Sequence, residues 1–132
     1  MRTIKYSRQR ESIKKFLLSR YDHPTAETIY QHVKEEFPNI SLGTVYRNLT
    51  LLTELGEAVR ITGTDGPDRF DGHTDPHSHF LCRECHALID IYVEGENEVD
   101  RLAQNGFGGV IEGHSVQYHG LCPECMKKKI ST

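Results

Sequence analysis

The chain has 132 residues, enough for one ordinary domain or two small ones, and a net charge of −3 that by itself argues against a nucleic-acid partner. No apolar run approaches the roughly 20 residues needed to cross a bilayer. The basic N-terminus lacks the apolar stretch of a signal peptide. We therefore expect a cytoplasmic protein without a membrane partner.

The distribution of charge along the chain is more informative than its sum. Residues 1–60 carry 10 Lys and Arg against 7 Asp and Glu, whereas residues 61–132 carry 6 against 12. Such asymmetry suggests an N-terminal part that faces nucleic acid and a C-terminal part with another role. An uneven solvated surface would give the same numbers, so the charge alone leaves both interpretations open.

The N-terminal half predicts three helices followed by a hairpin. Apolar residues recur at helical spacing in three segments. The first covers residues 7–20, the second is capped by Thr25 and ends at Pro38, and the third is capped by Ser41 and stops at Gly56. The short turn between the second and third helices matches a helix-turn-helix. The β-type run at residues 58–62, a turn-rich stretch and residues 69–71 predict the wing. We therefore expect a winged-helix DNA-binding domain over residues 1–66.

The third helix is the candidate recognition helix. Its face opposite the apolar stripe carries Thr44 and Arg47, with Tyr46 at the margin. A recognition helix presents such side chains to base edges and phosphates. Arg47 can read guanine or hold a phosphate, and Thr44 and Tyr46 are also consistent with ordinary helix positions.

The pattern changes after residue 71. Strands are predicted at residues 79–82, 88–93 and 116–118, with a helix at residues 96–104. The Gly, Asp and Pro residues near 63–70 suit a hinge. We therefore predict an α+β protein in which residues 67–132 form a small second domain of mixed α/β structure.

Four cysteines form two matched pairs, Cys82-x-x-Cys85 and Cys122-x-x-Cys125, separated by 36 residues. In a reducing compartment cysteines are more often metal ligands than disulfides. Four thiolates from two tight turns give the tetrahedral shell of structural zinc. The alternatives are haem attachment through Cys82-x-x-Cys85-His86 and a redox disulfide. Neither explains the second matched pair, so we predict a zinc site.

Histidines and aspartates gather around the first cysteine pair. His77 and His79 alternate along a predicted strand and so share one face, while Asp71 precedes them and Asp90 follows. Mixed imidazole and carboxylate ligands suit Fe²⁺, Mn²⁺ or Zn²⁺. No phosphate loop, nucleophile elbow or His-Glu-x-x-His helix occurs. We therefore predict that the protein is not an enzyme, with a zinc-dependent enzyme as the alternative.

Several segments in this order resemble the ferric uptake regulator (Fur) family. The matching segments are His23-Pro24-Thr25-Ala26, Phe37-Pro38-Asn39-Ile40-Ser41, Thr44-Val45-Tyr46-Arg47-Asn48-Leu49, Arg69-Phe70-Asp71, His77-Ser78-His79-Phe80-Leu81-Cys82, Asp90 and the second cysteine pair. The resemblance implies a homodimeric repressor of double-stranded DNA, with a winged helix and a C-terminal dimerisation domain. It also implies that Lys5, Tyr46 and Arg47 contact DNA, and Arg2, Arg8 and Arg10 are further candidates.

Within the family the chain is most similar to the peroxide-sensing PerR subgroup. This implies a regulatory Fe²⁺ or Mn²⁺ site formed by three histidines and two aspartates, namely His23, Asp71, His77, His79 and Asp90. Asp90 stands where iron sensors usually have glutamate. Pro76 and Ser78 replace two ligands of a further metal site, which we expect to be absent. The implied mechanism is Fe²⁺-catalysed oxidation of His23 or His77 by hydrogen peroxide. An iron- or zinc-sensing repressor is the alternative.

Overall fold

The computed structural model of the chain describes residues 5–130, and within that range it contains five helices and two β-sheets. In chain order the elements are α1 (Arg8–Leu18), α2 (Ala26–Val33), α3 (Leu42–Glu54), β1 (Val59–Ile61), β2 (Arg69–Asp71), β3 (Ser78–Cys82), β4 (Leu88–Ile91), α4 (Glu96–Gln104), β5 (Gln117–Gly120) and α5 (Pro123–Ile130). The chain divides into two compact units, one ending at Asp75 and the other beginning at Pro76.

The three helices of the N-terminal unit begin where hydroxyl side chains cap them. The Oγ of Ser7, the Oγ1 of Thr25 and the Oγ of Ser41 each accept a hydrogen bond from the backbone N–H three residues later. Such caps satisfy donors that a helix N-terminus otherwise leaves unpaired. The apolar face of each helix then packs into one core, which includes Ile13, Phe16, Leu17, Ile29, Val33, Leu49, Leu52 and Phe70.

The hairpin predicted after α3 is present. β1 and β2 pair antiparallel, with Arg60 opposite Phe70, and Phe70 is fully buried in the helical core. This arrangement confirms the winged-helix prediction. The unit ends after Asp75 and not after Gly66, where composition suggested the boundary, because β2 pairs with β1 and so belongs to the N-terminal unit.

The C-terminal unit is built on a three-stranded sheet in the order β4-β3-β5. The central strand β3 pairs antiparallel with β4 and parallel with β5. A parallel pair needs a long crossover between its strands, and here the chain between β3 and β5 includes β4 and α4. The predicted helix at residues 96–104 is confirmed as α4, whereas α5 was not predicted. No helix in residues 5–130 is long and apolar enough to span a bilayer.

Candidate metal centres and nucleic-acid interface

The four cysteines converge in the C-terminal unit, as their spacing predicted. Cys82 is the last residue of β3, and Cys122 is the second residue after β5. These two strands are parallel neighbours in the sheet. Parallel pairing brings the C-terminal ends of both strands to the same edge of the sheet, so the two Cys-x-x-Cys turns meet there. The four Sγ atoms all lie within 4.8 Å of one another, and those of Cys85 and Cys122 are 3.7 Å apart.

The surroundings of the cysteines favour thiolate at one end of the cluster. Backbone N–H groups, first that of Cys85 and then that of Cys122, hydrogen-bond to Cys82 and lower the pKa of its thiol to about 6. Burial, followed by hydrogen bonds to the neighbouring thiols, raises the pKa of Cys125 to about 12. The two pKa shifts thus favour a thiolate at Cys82 and a thiol at Cys125. A divalent cation would remove this difference because it would bind all four groups as thiolates. The donor set therefore fits the all-sulfur shell of structural zinc.

In the N-terminal unit, His23 and Asp71 form a buried pair. The His23 Nε2 lies 3.3 Å from the Asp71 Oδ2, and both side chains are 1% exposed. The other oxygen of Asp71 accepts a hydrogen bond of 2.8 Å from the backbone N–H of His73. Gly72 makes this turn possible, because a Cβ there would lie 2.8 Å from the Cβ of Leu17. The pair thus presents one imidazole nitrogen and one carboxylate oxygen from fixed positions.

In the C-terminal unit, two histidines share one carboxylate oxygen. The His77 Nε2 is 3.0 Å and the His79 Nε2 3.4 Å from the Asp90 Oδ1. His79 lies directly opposite Asp90 in the β3–β4 pairing, and the rings of His77 and His79 are 4.8 Å apart. This confirms that the two histidines face the same side of the strand. Two imidazoles and a carboxylate form a mixed donor set that Fe²⁺, Mn²⁺ or Zn²⁺ accepts.

Each unit contains one group of the residues predicted for the regulatory metal. The first is His23 with Asp71, and the second is His77 and His79 with Asp90. Nitrogen donors close to carboxylate oxygens are chemically suited to a transition metal in both groups.

The predicted DNA contacts lie on α3 and before α1. Arg47 is exposed and its Nη2 donates a 2.9 Å hydrogen bond to the Oγ1 of Thr44, while Tyr46 is exposed beside them. Thr44 in turn is held by the capping Ser41. Lys5 is exposed and its backbone carbonyl accepts a hydrogen bond from the buried Arg10. Arg2, a further candidate contact, lies outside the described residues.

A further cluster of polar groups surrounds Ser78, a position where no metal ligand was predicted. Ser78 donates a hydrogen bond to Glu96, and His114 approaches Glu96 at 3.5 Å and Asp100 at 2.6 Å. The hydrogen bond to Asp100, followed by the charges of both carboxylates, raises the pKa of His114. A single histidine here pairs with carboxylates of α4, a contact that sequence reasoning did not predict.

A model of the ferric uptake regulator family matches residues 1–119. The chain belongs to this family. Over 125 residues it is 37% identical to the peroxide-responsive repressor PerR of Staphylococcus aureus, covering 95% of this chain and 84% of that protein. The relatives that match are transcription regulators. Family membership confirms the resemblance on which the regulatory ligand set was predicted.

Solved structures show the same fold. The peroxide stress regulator of Campylobacter jejuni superposes with a TM-score of 0.78 at 30% identity, covering 89% of this chain and 88% of that one. The Fur protein of Helicobacter pylori gives a TM-score of 0.78 at 21% identity, covering 93% and 83%. The winged helix followed by a small α/β unit is therefore the architecture of the family.

Proposed function

We propose that this protein is a metal-dependent transcriptional repressor that releases DNA in response to hydrogen peroxide. The observation that carries the proposal is the pair of His/Asp groups, one buried in the N-terminal unit and one gathered on Asp90, in a chain 37% identical to a peroxide-responsive repressor. We propose that it acts in the cytoplasm, where bacterial repressors of this kind meet DNA.

The regulatory ion is Fe²⁺ or Mn²⁺, and its ligands are His23, Asp71, His77, His79 and Asp90. When bound, Fe²⁺ supplies the electron that reduces hydrogen peroxide, so that oxidation is confined to the side chains around it. His23 is nearly inaccessible to solvent, which limits reaction with peroxide that is free in solution. Loss of one imidazole from this ligand set weakens the binding of the ion and with it the DNA-binding state.

The second ion is Zn²⁺ on Cys82, Cys85, Cys122 and Cys125, with a structural role. These four thiols would fill all four positions of a tetrahedral zinc ion, whereas catalytic zinc keeps one position open for water or substrate. A closed shell supports the interpretation that the cysteines stabilise the C-terminal unit and that sensing belongs to the histidines.

The DNA-binding surface is α3, with Thr44, Tyr46 and Arg47 reaching the operator and Lys5 contacting it from before α1. Support comes from the exposure of Arg47 and Tyr46 on a helix whose opposite face is buried in the core. The hydrogen bond from Arg47 to Thr44 holds the guanidinium over the N-terminal half of the helix. In helix-turn-helix proteins this half contacts base edges in the major groove.

Two copies of the chain associate through a surface of the C-terminal unit. α4 has no buried residue, and its apolar side chains Val99 and Leu102 are 50% and 67% exposed, while Val110 in the segment after it is 81% exposed. An amphipathic helix in so small a unit is stable when its apolar side is covered. A second copy of the chain provides that cover, and the twofold symmetry of the dimer then matches two operator half-sites.

Metal-dependent DNA binding tests this function. A duplex is first selected from random sequence with the Mn²⁺-loaded protein, and its binding is then measured by fluorescence anisotropy with and without Mn²⁺. We expect Mn²⁺ to tighten binding by on the order of tenfold or more, within the usual range of allosteric coupling. A chelator that removes Mn²⁺ but leaves zinc in place should reverse the effect. Equal affinity in both states would exclude a metal-dependent repressor.

A further inference from the structure

His23 adopts a backbone conformation that its sequence position disfavours. Its φ is 56°, in the left-handed region that is unfavourable for a residue with a Cβ. Proline follows it, and a residue before proline is sterically driven toward extended conformations. Strain of this kind persists only where neighbouring structure holds it.

The hydrogen bonds that hold the backbone around His23 come from β2. The Arg69 Nε donates to the carbonyl of His23 at 2.7 Å, and the Arg69 Nη2 donates to the carbonyl of Asp22 at 2.6 Å. The backbone N–H of Phe70 donates to the carbonyl of Pro24 at 3.0 Å. Three successive carbonyls around His23 are thus bound by two adjacent residues of one strand.

The same strand also contacts the His23 side chain. Arg69 and Asp71 are two residues apart in β2, so their side chains leave the strand on the same side. Arg69 binds the backbone of His23, and Asp71 lies 3.3 Å from its Nε2. One face of β2 therefore determines both the backbone conformation and the imidazole position.

The Arg69 side chain fits this task better than any other basic group. Its planar fork spans two carbonyl oxygens at once, which a lysine ammonium does not reproduce. The guanidinium of Arg69 donates to the backbone carbonyls of Asp22 and His23.

We propose that Arg69 is a positioning residue of the regulatory metal site: it holds His23 in its left-handed conformation so that the imidazole is available as a ligand before the ion binds. The proposal rests on the ligand role given to His23 under the proposed function. A ligand that is already in place loses less conformational freedom on binding, so the ion binds more tightly.

A double-mutant cycle tests this role. The zinc-loaded wild type, Arg69→Met, His23→Ala and the double variant are titrated with Mn²⁺, and free Mn²⁺ is read from its electron paramagnetic resonance signal. We expect Arg69→Met to weaken Mn²⁺ binding about 10-fold or more, as loss of an outer contact to a metal ligand does. In the His23→Ala background the same substitution should have no further effect, because Arg69 acts through His23.

Two outcomes overturn the proposal, and they are distinguishable from failure of the proposed function. Equal weakening by Arg69→Met in both backgrounds would show a general structural effect, and no weakening in either would show that Arg69 does not position a ligand. An unchanged Mn²⁺ affinity in His23→Ala alone would instead remove the ligand role itself.

Further variants control for folding. Arg60→Met removes an arginine from the paired strand β1 and leaves the contacts of His23 in place, so its Mn²⁺ affinity should equal that of the wild type. Arg69→Lys keeps the positive charge at this position, and it replaces Arg69→Met in the titrations if Arg69→Met does not fold. We expect Arg69→Lys to bind Mn²⁺ less tightly than the wild type. In the His23→Ala background the same substitution should leave the Mn²⁺ affinity unchanged. Wild-type affinity in Arg69→Lys would overturn the need for the guanidinium fork.

Discussion

Replacing Cys122 with serine is expected to unfold the C-terminal unit and leave the N-terminal unit folded. Among its described residues the C-terminal unit buries only four apolar side chains, Leu81, Cys82, Leu88 and Cys122, and two of these are proposed zinc ligands. Structural zinc contributes about 10–16 kcal/mol in small peptides, against the roughly 5–15 kcal/mol that separates folded from unfolded domains. We therefore expect the ion to decide whether this unit folds.

The measurement is amide hydrogen exchange, combined with zinc analysis by mass spectrometry. In Cys122→Ser we expect loss of bound zinc and rapid exchange in β3, β4 and β5, with protection retained in α1 and α3. The wild type after removal of zinc by a strong chelator should show the same pattern. Arg83→Ser, an exposed substitution in the first cysteine turn, is the control and should keep both zinc and protection. Persistent protection of the sheet without zinc would contradict the structural role.

Replacing Asp71 with asparagine is expected to abolish the response to the regulatory metal without unfolding the chain. The side chain is 1% exposed, and asparagine keeps both its size and an oxygen that can accept the hydrogen bond from the His73 N–H. The negative charge beside His23 is lost, and with it one anionic ligand of the proposed site. We expect Mn²⁺ affinity to fall by at least about 10–100-fold, a range already reached on loss of outer-shell contacts to metal ligands.

DNA binding with and without Mn²⁺ gives the second readout for Asp71→Asn. The variant should bind the selected duplex equally well in both conditions, at the metal-free affinity of the wild type. Asp75→Asn makes the same change of charge in an exposed residue of the same segment and should retain the full metal response. A normal metal response in Asp71→Asn would remove Asp71 from the ligand set.

The sequence predicted most of the N-terminal unit because its signals are local. Hydroxyl caps at Thr25 and Ser41 and apolar residues at helical spacing located α2 and α3 closely. The domain boundary was placed before β2, because the pairing of β2 with β1 is a contact between distant residues that composition does not show. Helix α5 was missed because Lys127, Lys128 and Lys129 resemble a solvated tail, although Pro123 is a favourable first residue for a helix.

The candidate sites were predictable to different degrees. Doubled Cys-x-x-Cys spacing indicated the cysteine cluster, and strand alternation placed His77 and His79 on one face. The parallel pairing of β3 with β5 that brings the cysteines together was not visible, since register between distant strands depends on packing. The contacts of Arg69 were likewise hidden, because its side chain binds backbone carbonyls that lie 46 and 47 positions earlier in the chain. Such contacts leave no pattern in residue type.

We expect hydrogen peroxide to act on a ligand histidine of the Fe²⁺-loaded protein. The decisive measurement loads the zinc-containing protein with Fe²⁺ without oxygen, adds hydrogen peroxide, and maps oxygen addition by peptide mass while DNA binding is followed in parallel. We predict that the peptide containing His23 or His77 gains one oxygen atom as DNA binding is lost, and that Mn²⁺-loaded protein treated in the same way shows neither change. Persistent DNA binding by the Fe²⁺-loaded protein with both peptides unmodified would contradict peroxide sensing and favour an iron-sensing repressor of the same family.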